Sequence, residues 1–212
     1  MEHEIRFYFS SHHKTDLLNR LLATGLTSSE RQLEKTIQFD HKDPQYSFYT
    51  EEIDGRFRLR ITKGKKSKIC KVSWKRRLPE QKSASISVAE EKEFHVQPSE
   101  YKELLFILTN VLHLKPVESY ERYRTTFSNS EVEIALDEYP FGLALEIENR
   151  STTKLPQHVV QKWTKKLELN PKNSYPLSWD DKYTSLCHEQ NVPIFKHVTF
   201  RKPMPKVNDK TW

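Results

Sequence analysis

Carboxylate residues recur at alternate positions in two separate stretches of the sequence. Near the amino end, Glu2 and Glu4 flank His3. The stretch EIALDEYPFGLALEIE carries further acids on both sides of a Pro-Phe-Gly turn, namely Glu133, Asp137, Glu146 and Glu148. Side chains two positions apart on a β-strand share one face, so these acids would present their carboxylates together. Paired hard oxygen ligands of this kind suit Mg²⁺ or Mn²⁺.

Arginine and lysine follow the same alternation in other stretches, in RFRLR, ICKVSWK and ERYR. A guanidinium fork matches two phosphate oxygens at once, and an ammonium group adds a point charge. The acidic and basic stretches together would form a site for a metal-bound polyphosphate, in which carboxylates hold the metal. The basic residues on the charged faces of the predicted strands are Arg6, Arg58, Arg60, Lys71, Lys75, Arg122 and Arg124, and arginines and lysines of this kind would hold the phosphate oxygens.

Nearly every predicted strand has one apolar face and one charged face, and charges that share a face have the same sign. One wet face is common in antiparallel sheets, but exposed strands more often carry Thr, Ser and mixed residues there. A closed barrel with a charged lumen accounts for the pattern if helices cover the apolar outer faces. We therefore predict an α+β fold with a tunnel-like barrel and helices packed outside.

Four stretches with helical spacing separate or follow the strands, and Ser178 is a candidate cap for the last of them. An irregular segment is predicted from Arg76 to Ala89. No compositional break indicates a second domain. We predict one tunnel domain over residues 1–192 and a basic, proline-containing tail over residues 193–212.

Composition narrows the class of protein. The chain has 212 residues, a net charge of +6 and only two cysteines, without metal-ligand spacing. No apolar run approaches the roughly 20 residues that span a bilayer. We expect a soluble, cytoplasmic protein without membrane contact. The charge fits either a nucleic acid or a small polyanion, but matched acidic strands disfavour a duplex binder, which would show an unmatched basic face.

The ordered set of motifs resembles the CYTH domains, or triphosphate tunnel metalloenzymes. Glu2-His3-Glu4-Ile5-Arg6 is similar to the ExExK signature that opens these domains. RLR, the lysine of SWK, ERYR, ALDE and LEIE follow in the order of the family, and YPLSWDDKYTSL resembles its C-terminal helix region. The resemblance covers roughly residues 1 to 190. It rests on the order of the motifs, since ExE alone is common in strands.

The resemblance implies an eight-stranded antiparallel barrel and divalent-metal chemistry on triphosphates. Members of the family include inorganic and thiamine triphosphatases, class IV adenylate cyclases and RNA triphosphatases. The resemblance implies that the phosphate ligands are Arg58, Arg60, Lys75, Arg122 and Arg124, and that catalysis involves Glu2, Glu4 and Arg6. The implied ligands of Mg²⁺ or Mn²⁺ are Glu2, Glu4, Asp137, Glu146 and Glu148.

One departure affects the chemistry, because Arg6 stands where the family motif has a lysine. A buried lysine can lose its proton, whereas an arginine cannot. If members of the family use that lysine to activate water, Arg6 can only bind phosphate, and hydrolysis would need another group to activate water. The expected function is hydrolysis of tripolyphosphate, thiamine triphosphate or a nucleoside triphosphate. Alternatives are a class IV-type cyclase that converts ATP to cyclic AMP and pyrophosphate, or a non-catalytic module that binds polyphosphate or an RNA 5′-triphosphate end. The expected partner is a triphosphate-containing small molecule, and a homodimer is left open.

Overall fold

The computed structural model describes residues 1–50, 52–78 and 86–208, and within them the chain forms ten strands and four α-helices. The strands are β1 (Glu2–Phe9), β2 (Thr27–Ser28), β3 (Gln32–His41), β4 (Gly55–Lys63), β5 (Lys68–Arg77), β6 (Ser87–Val96), β7 (Leu114–Ser128), β8 (Val132–Tyr139), β9 (Gly142–Asn149) and β10 (His197–Val198). The helices are α1 (Lys14–Ala23), α2 (Tyr101–Phe106), α3 (Pro156–Lys166) and α4 (Trp179–Glu189). A π-helical turn, Ile107–Val111, continues α2.

Eight of the strands close into an antiparallel ring. Neighbours follow the order β7, β3, β4, β5, β6, β1, β9 and β8, and β8 pairs with β7 again. The two short strands β2 and β10 add to β7 outside the ring. The predicted α+β fold, an eight-stranded antiparallel barrel with helices outside, is therefore confirmed.

The apolar faces of the strands point outward, and the main core lies between the barrel wall and the helices. On β1, Ile5, Phe7 and Phe9 are almost completely buried and pack with Leu21 of α1 and Trp163 of α3. Each such side chain stabilises the fold by about 1.5–3 kcal/mol through burial. Because the side chains of a strand alternate, this outward packing forces the charged residues between them into the barrel.

The C-terminal part of the chain covers one end of the barrel. Ser178 and Asp181 form a capping box at the start of α4, as the cap at Ser178 was predicted. The described part of the predicted tail, residues 193–208, packs on the barrel, where Val198, Met204 and Val207 are buried in an aromatic cluster. This end of the barrel is therefore covered by side chains of α4 and of the tail.

The predicted irregular segment is shorter than its sequence suggested. β5 continues to Arg77 and β6 begins at Ser87, so strand pairing extends into both ends of it. Residues 79–85 of that segment, and residues 209–212 of the tail, lie outside the described residues. Among the described residues, no helix has the length and apolar character that crossing a bilayer requires.

Candidate active site

The barrel encloses a cavity of about 520 Å³ that is lined mainly by charged side chains. Inward-facing residues of seven ring strands reach it, together with the segment that leads into α4. The predicted site residues that line the cavity are Glu2, Glu4, Arg6, Arg58, Arg60, Lys75, Arg122, Arg124, Glu146 and Glu148. Asp137, also predicted as a site residue, lies behind this wall and is fully buried.

A group of carboxylates lies where β1, β8 and β9 meet. Glu148 is the cross-strand partner of Glu4 on one side and of Glu133 on the other. Burial and then the neighbouring charge of Glu2 raise the pKa of Glu148 to about 8, because the opposing effect of Arg150 is smaller. Like charges directly opposite each other destabilise a sheet. This end of the cavity therefore carries an excess of negative charge that a cation would relieve.

The oxygen donors of this group fit a divalent metal ion in chemical type, but in this arrangement they are engaged by cations. Lys75 Nζ lies 2.7 Å from Glu2 and 3.4 Å from Glu4, while Arg150 lies 3.5 Å from Glu148. As these side chains stand, no three acidic, histidine or cysteine residues in the described ranges converge to hold a metal ion. A metal would have to replace these lysine and arginine contacts.

Arg6 is held by three groups and stays charged. Its Nε donates to Glu146 at 2.7 Å, its Nη2 donates to Glu4 at 2.8 Å, and its Nη1 donates to the carbonyl oxygen of Leu177 at 2.9 Å. Burial alone would lower the pKa of Arg6, but Glu146 and Glu4 outweigh it and raise that pKa. Arg6 therefore ties β1 to β9 and to the segment before α4, and it cannot accept a proton from water.

Asp137 is surrounded by arginines. Arg124 donates to both of its carboxylate oxygens at 2.6 Å, and Arg122 donates to one of them at 2.8 Å. Arg122 is fixed from its other side by Glu34, whose Oε2 accepts from Arg122 Nε at 2.7 Å. Burial would raise the pKa of Glu34, but Arg122 and Arg60 together lower it well below its usual value. Asp137 and Glu34 thus orient the arginines of β7.

The opposite wall supplies cations with unused hydrogen-bonding capacity. Arg58 lines the cavity, and its buried Nε has no acceptor among the described residues. Arg60 donates to Thr36 at 3.1 Å and to the hydroxyl of Tyr120 at 3.3 Å. Buried donors without acceptors are costly, so an anion in the cavity would be stabilised beside Arg58.

Three residues in or next to the cavity were not among the predicted site residues. Arg56 and Tyr120 line the cavity, and Glu34 lies just behind it. Arg56 has the same strand parity as Arg58, and Glu34 alternates with apolar neighbours in QLEKTIQF, so alternation could have indicated both. Tyr120 has the same strand parity as Arg122 and Arg124, but its residue type gave no further indication, since tyrosine is common on either face of a strand.

The two ends of the cavity differ. At one end, Trp179 of α4 packs on Tyr120 with ring centroids 4.3 Å apart. Arg56, buried beside them, donates to Ser178 at 3.1 Å and to Asp180 at 3.3 Å. At the other end, the lining side chains of Arg150 and Glu93 are 49% and 45% exposed. A ligand would therefore enter past Arg150, and α4 closes the far end.

Comparison with known proteins supports this architecture through structure alone. No protein-family model matches the chain, and no curated protein matches it significantly. The PH1819 protein of Pyrococcus horikoshii OT3 superposes with a TM-score of 0.64 at 21% identity, over 90% of this chain and 99% of that one. HpAC1 of Hippeastrum, a candidate adenylyl cyclase with a dominant triphosphatase activity, superposes with a TM-score of 0.58 at 17% identity, over 92% of this chain and 98% of that one. A candidate adenylate cyclase of Vibrio parahaemolyticus superposes with a TM-score of 0.60 at 16% identity, over 85% of this chain and 95% of that one.

The chain has the fold of these proteins. The resemblance to CYTH domains, drawn from the motif order, is thereby confirmed at the level of the fold. Identities of this size carry no residue roles across, so the roles of the side chains in this tunnel rest on their own geometry.

Proposed function

We propose that the protein is a metal-dependent hydrolase of triphosphates, which bind inside the tunnel. The observation that carries this proposal is the pairing of two unlike walls around one cavity. One wall holds arginines with a free donor at Arg58, and the other holds carboxylates, where burial and then the neighbouring charge of Glu2 raise the pKa of Glu148 to about 8. A polyphosphate chain with a bound divalent cation matches both walls at once.

In this proposal the arginine wall positions the phosphate chain. Arg58, Arg60 and Arg122 direct their guanidinium groups into the cavity, and Asp137 and Glu34 fix the arginines of β7 so that few rotamers are lost on binding. Lys75 can turn from Glu2 and Glu4 toward a phosphate oxygen. Phosphoryl transfer depends mainly on such positioning and on neutralisation of charge.

The carboxylates of Glu2, Glu4 and Glu148 would hold the metal ion. A divalent ion held there supplies positive charge to phosphate oxygens and lowers the repulsion among the acids. Glu146 accepts from Arg6 at 2.7 Å and from Arg124 at 2.6 Å, and Asp137 accepts from Arg122 and Arg124. We therefore assign these two acids to the orientation of arginines, where the sequence predicted metal ligands.

The test is a substrate panel with a metal titration. Purified protein is incubated with tripolyphosphate, thiamine triphosphate and nucleoside triphosphates, with Mg²⁺ or Mn²⁺ and with a chelator. We expect orthophosphate release from at least one substrate that requires the metal. Folded protein that releases no phosphate from any of them would exclude the proposal.

A class IV-type cyclase is the second candidate, because fold neighbours include candidate adenylate cyclases. The same tunnel would then hold ATP so that its 3′-hydroxyl attacks the α-phosphorus. Formation of cyclic AMP and pyrophosphate from ATP, without orthophosphate, would decide for the cyclase. Tight binding of tripolyphosphate without turnover would instead indicate the non-catalytic module.

A further inference from the structure

Arg6 leaves the proposed hydrolase without the lysine that the family motif contains. The guanidinium is bonded on three sides and its pKa is raised, so it cannot take a proton from water. A proton acceptor must therefore come from elsewhere in the tunnel.

Tyr120 occupies a suitable position on the arginine wall. Its side chain is 2% exposed, lines the cavity and accepts a hydrogen bond from Arg60 Nη2 at 3.3 Å. Trp179 packs against its ring, which limits its movement. The hydroxyl therefore lies among the groups that would bind the phosphate chain, at the closed end of the tunnel.

The groups that face Tyr120 favour its anionic form. Burial alone would raise the pKa of Tyr120, but Arg60, Arg122 and Arg58 outweigh it, a hydrogen bond with Thr36 adds to their effect, and the pKa falls to about 8. The surrounding groups are Arg58 and Arg60 from β4, Thr36 from β3, Arg122 from β7, Tyr139 from β8 and Trp179 from α4.

Tyr139 is a natural comparison in the same cavity. Its hydroxyl accepts from Arg122 at 3.1 Å, yet burial and then the nearby Asp137 raise its pKa. Two buried tyrosines on neighbouring strands thus have opposite tendencies to ionise, and only the one surrounded by cations on the β4 side tends toward the phenolate.

We propose that Tyr120 is a catalytic residue whose phenolate accepts the proton of the attacking water. The inference rests on the proposed triphosphate hydrolysis. The water O–H bond breaks, the proton joins the phenolate oxygen, and the water oxygen forms a bond to the terminal phosphorus. The bond from that phosphorus to its bridging oxygen breaks, and diphosphate leaves with the electron pair. Tyr120 then returns its proton to solvent.

The test compares Tyr120→Phe with Tyr139→Phe in two readouts. The first is kcat for tripolyphosphate hydrolysis between pH 6 and 9.5 at saturating metal. We expect kcat of the wild type to rise with pH through about 8, because the phenolate is the active form. Loss of a general base typically lowers kcat by about 10²- to 10⁴-fold, so Y120F should fall by that factor and lose the rise. Y139F should retain the rise.

The second readout is the ultraviolet absorbance of tyrosinate, which does not depend on turnover. One tyrosine should ionise near pH 8 in the wild type and in Y139F, and not in Y120F. A kcat that still rises with pH in Y120F would overturn the base role, and so would the lack of an early-ionising tyrosine in the wild type. Absence of hydrolysis by the wild type, with the early ionisation present, would show instead that the proposed function has failed.

Discussion

Arg124 on β7 and Asp137 on β8 lie directly opposite each other, and the guanidinium donates to both oxygens of the carboxylate at 2.6 Å. Asp137 has no exposed surface, and Arg122 also donates a hydrogen bond to its carboxylate. Because Asp137 is enclosed in this way, we assign it the role of positioning the arginines of the arginine wall. Its metal role, predicted from the sequence, would require that both arginines be released.

Asp137→Asn should therefore weaken the fold and the binding of substrate together. Removing one partner of a buried ion pair typically costs about 3–5 kcal/mol, because the remaining charges are left without compensation. We expect a lower unfolding temperature and a KM for the triphosphate that is raised about tenfold. Thermal unfolding and steady-state kinetics measure the two effects. An unchanged unfolding temperature with a much higher metal requirement would instead make Asp137 a metal ligand.

Glu148→Gln should raise the metal concentration that gives half-maximal activity. The substitution removes one anionic oxygen donor, and the affinity of a hard cation follows the number of charged ligands. We expect an increase of about tenfold or more, measured by titration with Mg²⁺ or Mn²⁺. Glu131→Gln is the matched control, since Glu131 pairs with Lys154 and Lys162 away from the cavity. Equal metal requirements in both variants would refute the assignment of Glu148.

Arg58→Ala should impair substrate binding more than metal binding. Hydrogen bonds to charged groups contribute about 1.5–3 kcal/mol, which corresponds to a KM at least about tenfold higher. Arg76→Ala serves as the control because Arg76 lies on the outer face of β5 and pairs with Glu90. Calorimetry measures the affinity of each variant for tripolyphosphate. An equal loss of affinity in Arg58→Ala and Arg76→Ala would show that the effect is not specific to the cavity.

The elevated pKa of Glu148 predicts a stability that decreases as the pH rises. The folded state keeps this proton up to about pH 8, whereas the unfolded chain releases it near 4.5. Between these values the folded state binds more protons, so its free energy of unfolding falls with increasing pH. Glu148→Gln should show a smaller decrease in unfolding temperature between pH 5 and 8.5. Saturating Mg²⁺ should make the unfolding temperature of the wild type fall less over this pH range. Parallel curves of unfolding temperature against pH for the wild type and Glu148→Gln would contradict this account.

Alternation of residue types was sufficient to predict most of the cavity wall. In RFRLR and LEIE, each charged residue has apolar neighbours that must pack under helices, so its direction follows from the period of the strand. The closed barrel followed from the same pattern, because only a lumen could accommodate so many inward charges. Ten of the eleven predicted site residues accordingly line one cavity, and the eleventh, Asp137, lies directly behind it.

The alternation of residue types could not predict which cation pairs with which carboxylate. Whether a carboxylate is free for a metal depends on which cation lies across the barrel, as for Glu146 with Arg6 and Arg124. Such contacts depend on strand register, and that between Arg6 and Glu146 joins residues 140 positions apart in the chain. The position of Tyr120 likewise depends on α4, whose Trp179 closes the end of the tunnel.

The order of strands in the ring also determines when the protein can fold during synthesis. β1 leaves the ribosome before the other strands of the ring, yet its longest pairing is with β9, where Glu4 lies opposite Glu148. Contacts of such high sequence separation slow folding, because the intervening loop must be closed before they form. Until β9 is made, one edge of β1 has unsatisfied backbone groups and exposed Phe7 and Phe9. A nascent chain that stalls before residue 149 therefore exposes an unpaired, apolar strand edge that is prone to aggregation and that chaperones would have to shield.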